Sequence, residues 1–194
     1  MGCALPGKGV VLGKRLTSSI IFGRVTMATS ASFNTVQKLY IAYYQRPADP
    51  EGLRHWAKSL DEAGGSLDGI IDAFATSPES QALYGTIDAS TIDAFIDKIY
   101  MALFNRAPEE GGKKYYKDGF IEGRFKPGTI ALAILNGAQG DDLKAINNKV
   151  TAANRFTEAV DGRSMTNPGF GNKGTVFAAT YAGDTDAQKA RAWL

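Results

Sequence analysis

Few side chains in this sequence are suited to covalent or metal chemistry. His55 is the only histidine and Cys3 the only cysteine among 194 residues, so a zinc site of nitrogen and sulfur ligands lacks a donor set. A Ser-His-Asp relay would have to run through His55, next to Trp56, and a cysteine nucleophile would have to be Cys3. Paired carboxylates occur at Asp61-Glu62 and Glu109-Glu110. Acids in turns and on helix faces more often cap or face solvent than act as an acid–base couple. Gly169-x-Gly171-x-x-Gly174 has the letters of a dinucleotide fingerprint, but no strand precedes it in a βαβ unit. None of these sets makes a catalytic constellation, and the expectation is a non-enzyme without a cofactor. A carboxylate-only calcium site stays open.

Residues suited to recognition are more plentiful. Arg46 and Arg106 each end an apolar, tyrosine-containing run, and a guanidinium there can fork onto hydroxyls or acids. The simpler reading is that each arginine satisfies the last carbonyls of its helix or pairs with Asp49 or Glu109. Among the aromatics, Tyr40 and Tyr100 fall on an apolar stripe and are expected in the core. Tyr44 and Tyr116 are less constrained, and exposed rings are platforms for sugar faces or protein anchors. The candidate ligand-binding set is Tyr44, Arg46, Trp56, Arg106, Tyr115 and Tyr116.

These residues sit on a repeat. Val36-Gln37-Lys38-Leu39-Tyr40-Ile41-Ala42-Tyr43-Tyr44-Gln45-Arg46 aligns without a gap on Ile96-Asp97-Lys98-Ile99-Tyr100-Met101-Ala102-Leu103-Phe104-Asn105-Arg106, 60 positions later. The match continues with Gly52 on Gly112, His55-Trp56 on Tyr115-Tyr116 and Leu60 on Phe120. One supersecondary unit has been used twice. Within each copy the apolar residues recur at i, i+3, i+4 and i+7, the spacing of one helix face. Pro47, Pro50 and Pro108 end the first helix of each copy, and proline with acids opens the second. Ser66 is expected to cap a third helix over 67–75, matched by 129–135 after Pro127, and Ser77-Pro78 to start a short fourth helix ending at Gly85. A longer helix is expected over 141–160, a glycine-rich loop over 163–175 and a last helix over 184–193.

The expected fold is therefore all-α: two tandem copies of a multi-helix module, 33–90 and 91–144, followed by C-terminal helices and a Gly-rich loop over 145–194. Residues 1–32 are expected to be an N-terminal extension, disordered or ordered by a partner. Their composition changes abruptly at Met27, the expected natural start. The apolar stretch 16–22 is too short to span a bilayer and lacks a clear signal cleavage site. The apolar end Trp193-Leu194 suggests a longer parent protein.

The chain carries 22 basic and 20 acidic side chains, but Lys8, Lys14, Arg15 and Arg24 lie in the extension without an acid, leaving the rest slightly acidic. The nearest thing to a basic patch is Lys113, Lys114 and Lys117, so no nucleic-acid partner is expected.

The segment Gln45-Arg46-Pro47-Ala48-Asp49-Pro50-Glu51-Gly52-Leu53-Arg54-His55-Trp56, together with Asn105-Arg106-Ala107-Pro108, resembles a helical domain of unknown function that recurs in bacterial surface-layer proteins and exported calcium-repeat proteins. It is also distantly similar to the helical linker domain of phycobilisomes. The resemblance covers about residues 34–160. It implies export without a cleaved signal, an extracellular cell-surface location, and attachment to cell-surface polysaccharide or lipopolysaccharide or to other copies of itself. The chain departs from the pattern at Tyr115-Tyr116 and Gly111-Gly112, and it lacks the calcium-binding nonapeptides of the longer relatives. The expected function is a non-catalytic surface domain that anchors to glycan or self-assembles. The alternative is a purely protein-binding scaffold or linker.

Overall fold

The computed structural model describes residues 30–161 and 185–194, the side chains of 185–187 excepted. The expectations for Cys3, for the extension before Ser30 and for the glycine-rich stretch lie outside the described residues. All regular structure among the described residues is α-helical: α1 Ser30–Tyr44, α2 Pro50–Glu62, α3 Asp68–Thr76, α4 Pro78–Tyr84, α5 Ile92–Phe104, α6 Glu110–Ile121, α7 Pro127–Asn136, α8 Gly140–Val160 and α9 Thr185–Arg191. The first helix thus takes in residues 30–32, which the sequence reading gave to the extension.

The duplication is visible in the backbone. Helices α1, α2 and α3 recur 60 residues later as α5, α6 and α7. The two lead helices also end the same way, with Gln45 at φ 55° and Asn105 at φ 57°. That left-handed conformation turns the chain out of the helix and is uncommon for a residue with a Cβ. Asp49 then caps α2, its Oδ1 accepting from Gly52 N–H at 2.7 Å with Pro50 in the first turn. Ser77 Oγ caps α4, accepting from Ser80 N–H at 3.1 Å, and Gly85 at φ 69° ends it.

The two copies share one core. Helix α1 is buried on most of its surface, because α2, α5, α7 and α8 all pack on it. Leu39, Ile41, Tyr43, Phe74, Ile96, Ile99, Leu103, Ile130, Ile134 and Ile146 lie in one cluster. Tyr43 of the first copy donates to the Gly128 carbonyl of the second. Gly128 lies where α7 approaches α3, a Cβ there standing 3.1 Å from Ala75 and 3.2 Å from Ile71. Helix α8 closes the core: Gln37 Nε2 donates to Thr157 Oγ1 at 2.8 Å, and Thr157 Oγ1 donates to the Ala48 carbonyl at 2.6 Å. Burying those polar atoms is tolerable because each finds a partner.

Candidate functional site

The two repeat-related arginines form the same fork. Arg46 Nε and Nη2 donate to the Glu79 carboxylate at 2.9 Å each, Nη1 donates to the Pro47 carbonyl at 3.0 Å, and the guanidinium stands 5.1 Å from the Tyr40 ring centre. Arg106 Nε and Nη2 donate to Asp142 at 2.7 and 2.6 Å, Nη1 donates to the Ala107 carbonyl at 2.9 Å, and Tyr100 is 5.4 Å away. Each fork ties the turn after a lead helix to the first turn of the fourth helix in its copy. The bidentate geometry is one that only arginine supplies. The expected partner Asp49 is a secondary contact at 3.7 Å, and Glu109 stands 4.0 Å from Arg106. The principal acids lie more than 30 residues downstream, which local reading could not reach.

Burial separates the copies. Arg46 and Glu79 are each 3% exposed, whereas the Arg106 side chain is 39% exposed. Arg191 of α9 completes the first fork, donating to Glu79 at 2.5 Å and to the Tyr44 carbonyl at 3.0 Å. Arg46 and Tyr44, both offered by the sequence as ligand contacts, are therefore inside the molecule. The Tyr44 ring stacks on Phe74 with centres 4.8 Å apart and planes 9° from parallel. Trp56 is half-buried, its ring edge on Phe74 at 5.3 Å. These three residues brace the first copy, with Arg46 and Tyr44 buried and Trp56 half-buried.

The second copy is different. Tyr115 is 54% exposed and Tyr116 half-buried, and the structure joins them to Phe125 and Arg124. Tyr115 lies 5.2 Å from Tyr116 and 5.6 Å from Phe125, and Arg124 lies 5.5 Å over Tyr115 and 5.6 Å over Phe125. Helix α6 ends through left-handed Gly123, and Phe125 N–H returns to the Gly119 carbonyl at 3.0 Å. This lays the Phe125 ring against Gly119, where any Cβ would collide with it. The first copy has no such patch, because Gly64-Gly65 occupies the places of Arg124-Phe125 and His55-Trp56 those of Tyr115-Tyr116. That contrast in the alignment was the available signal for Arg124 and Phe125, which reading for shared residues passed over. Burial, with the neighbouring phenols Tyr100 and Tyr115, pushes the Tyr116 hydroxyl up to about 12, so it stays a neutral donor.

Beside this platform lies a cleft of about 280 Å³ lined by Asp68, Ile71 and Asp72 of the first copy and Gly123, Arg124, Lys126 and Thr129 of the second. An aromatic face edged by carboxylates, cations and a hydroxyl suits a polyhydroxylated ligand, whose C–H faces stack while its hydroxyls find donors and acceptors. Arg106 is not part of this cluster.

The remaining candidates sit apart. The expected basic patch is neutralised, with Lys113 on Asp97 at 2.7 Å, Lys117 on Asp93 at 2.6 Å and Lys114 on Asp118 at 2.6 Å. The exposed His55 ring packs edge-on to Trp56 at 4.8 Å. Among the described residues, no cluster of three or more His, Cys, Asp or Glu side chains is placed to hold a metal ion. No described helix is long and apolar enough to cross a membrane.

A family model described as a domain of unknown function, DUF4214, matches residues 15–84 and again 71–138. No curated protein and no solved structure matches the chain significantly.

Proposed function

We propose that this chain, which belongs to the DUF4214 family of domains of unknown function, is a non-catalytic domain of an exported bacterial surface protein that anchors to a cell-surface glycan such as lipopolysaccharide. The observation that carries this reading is the Tyr115–Phe125–Arg124 platform beside its polar cleft, present in the second copy and absent from the first. The first copy spends its aromatic and arginine residues on packing. The second places Tyr115 at the exposed position that His55 holds in the first and adds Arg124 and Phe125 beside it, a pattern expected when one unit of a duplicated pair keeps the fold and the other takes up binding.

The same domain assembles with copies of itself in a surface layer, or serves as a protein-binding scaffold, under a second reading. Its support is Met101, an apolar side chain 51% exposed where its counterpart Ile41 is fully buried. Pull-down on purified cell envelope separates the two. Glycan binding predicts capture that is lost when the envelope is stripped of polysaccharide and weakened in Tyr115→Ala. Capture that survives stripping, with Tyr115→Ala unchanged, refutes the glycan reading and favours the scaffold. Repeating the assay with a calcium chelator tests the ion's participation.

A further inference from the structure

A cleft of about 400 Å³, sharing no residue with the aromatic platform, is lined by Gln45, Asp97, Lys98, Met101, Ala102, Asn105, Lys149, Arg191 and Leu194. Three of these are cations. Its one acidic side chain, Asp97, is engaged by Lys113 at 2.7 Å. Arg191 shares the carboxylate of Glu79 with Arg46, whose guanidinium also stands 3.7 Å from Asp49. Among the described residues no carboxylate lies within ion-pair range of Lys98 or Lys149. Their ammonium groups donate only to carbonyls, Lys98 to Leu83 at 2.9 Å and Lys149 to Ala102 at 2.6 Å.

Lys149 is the unusual member. It is only 9% exposed, and a cation so far from water is normally paired with an acid. Burial pulls its ammonium below the usual lysine value. Capping the end of α5 does not require a charge. The equivalent carbonyl in the first copy, Ala42, accepts from the neutral Tyr84 hydroxyl at 2.7 Å. The second copy has put a lysine where a phenol suffices, and has put it on a cleft already holding Lys98 and Arg191. Each lysine keeps further N–H donors beyond its carbonyl bond.

We propose that this cleft binds a phosphate group, free or carried on a sugar, between Lys98, Lys149 and Arg191, with the Gln45 and Asn105 amides at its edge. Charge-assisted bonds to phosphate oxygens would satisfy the lysine donors and neutralise the two ammonium groups.

The test is a titration of the full chain, followed by backbone NMR, with inorganic phosphate, with glucose 1-phosphate and with glucose. Saturable shifts at residues 97–105 and 149 are expected with both phosphates and not with glucose. Tighter binding of glucose 1-phosphate would assign the sugar phosphate, and equal binding the phosphate alone. Lys149→Met and Lys98→Met should each weaken binding about tenfold or more. Lys98 is exposed, so its variant keeps the test valid if Lys149→Met does not fold. No saturable shift with either phosphate, or unchanged affinity in the Lys98→Met variant, overturns the proposal.

Discussion

Replacing Arg46 by methionine removes at least three hydrogen bonds and leaves Glu79, 3% exposed, short of its principal partner. Losing one member of a buried ion pair costs about 3–5 kcal/mol, mostly the desolvation of the charge left behind. Arg191 still reaches Glu79 at 2.5 Å, which places the effect near the lower end, about 3 kcal/mol. Arg106→Met removes the same set of bonds from a fork whose arginine is 39% and whose acid is 19% exposed. Water can solvate Asp142 there, and pairs of that kind contribute about 0–1 kcal/mol. At about 2–4 °C per kcal/mol for a chain of this size, Tm should fall by roughly 6–12 °C in Arg46→Met and by no more than about 4 °C in Arg106→Met. Thermal and urea unfolding followed by circular dichroism measures both. Equal losses would refute the argument that burial, and not the number of bonds, sets the value of the fork.

The glycine pair gives a similar contrast. A Cβ on Gly52 would overlap the Tyr40 hydroxyl and the Asp49 cap, whereas one on Gly112 would meet only the Tyr100 hydroxyl at 3.3 Å. Gly52→Ala should therefore destabilise by about 1–3 kcal/mol in urea unfolding and Gly112→Ala by less than about 1 kcal/mol. Alkaline stability follows from the buried phenols. Burial raises Tyr40 and Tyr43 above the ordinary tyrosine value of 10.0 and pushes Tyr84 up to about 12. A raised folded value means these groups add stability in full below pH 10, and lose it as the pH rises above 10, through about 12 for Tyr84 and higher for Tyr40 and Tyr43. Tyrosinate absorbance and helical signal should change together above pH 10, and a helical signal lost well below that pH would contradict the assignment.

The fold was legible because its information is local. Stripe spacing, Pro50, Asp49, Ser77 and Gly85 mark helix faces and ends within a few residues, and the 60-residue offset exposes the duplication. The site was only half legible. Tyr115 and Tyr116 stand out as departures at aligned positions, but that Tyr44 is buried and Trp56 half-buried was not legible, since periodicity cannot tell an exposed ring from one covered by a helix far along the chain. Here that helix is α3, which brings Phe74 onto both rings. Arg46 looked available for the same reason, its partner Glu79 being 33 residues away. The Lys149 cleft needs α1, α5, α8 and α9 together, and nothing in the local sequence announces it.

The functional account is tested most directly by titrating the purified chain with oligosaccharide released from its own cell envelope while following aromatic ring resonances. The Tyr115–Phe125–Arg124 platform predicts saturable shifts on Tyr115, Tyr116 and Phe125, with the Tyr44 and Trp56 rings unmoved. Shifts centred on Tyr44 and Trp56, or silence at Tyr115 while the chain still binds the glycan, would contradict it.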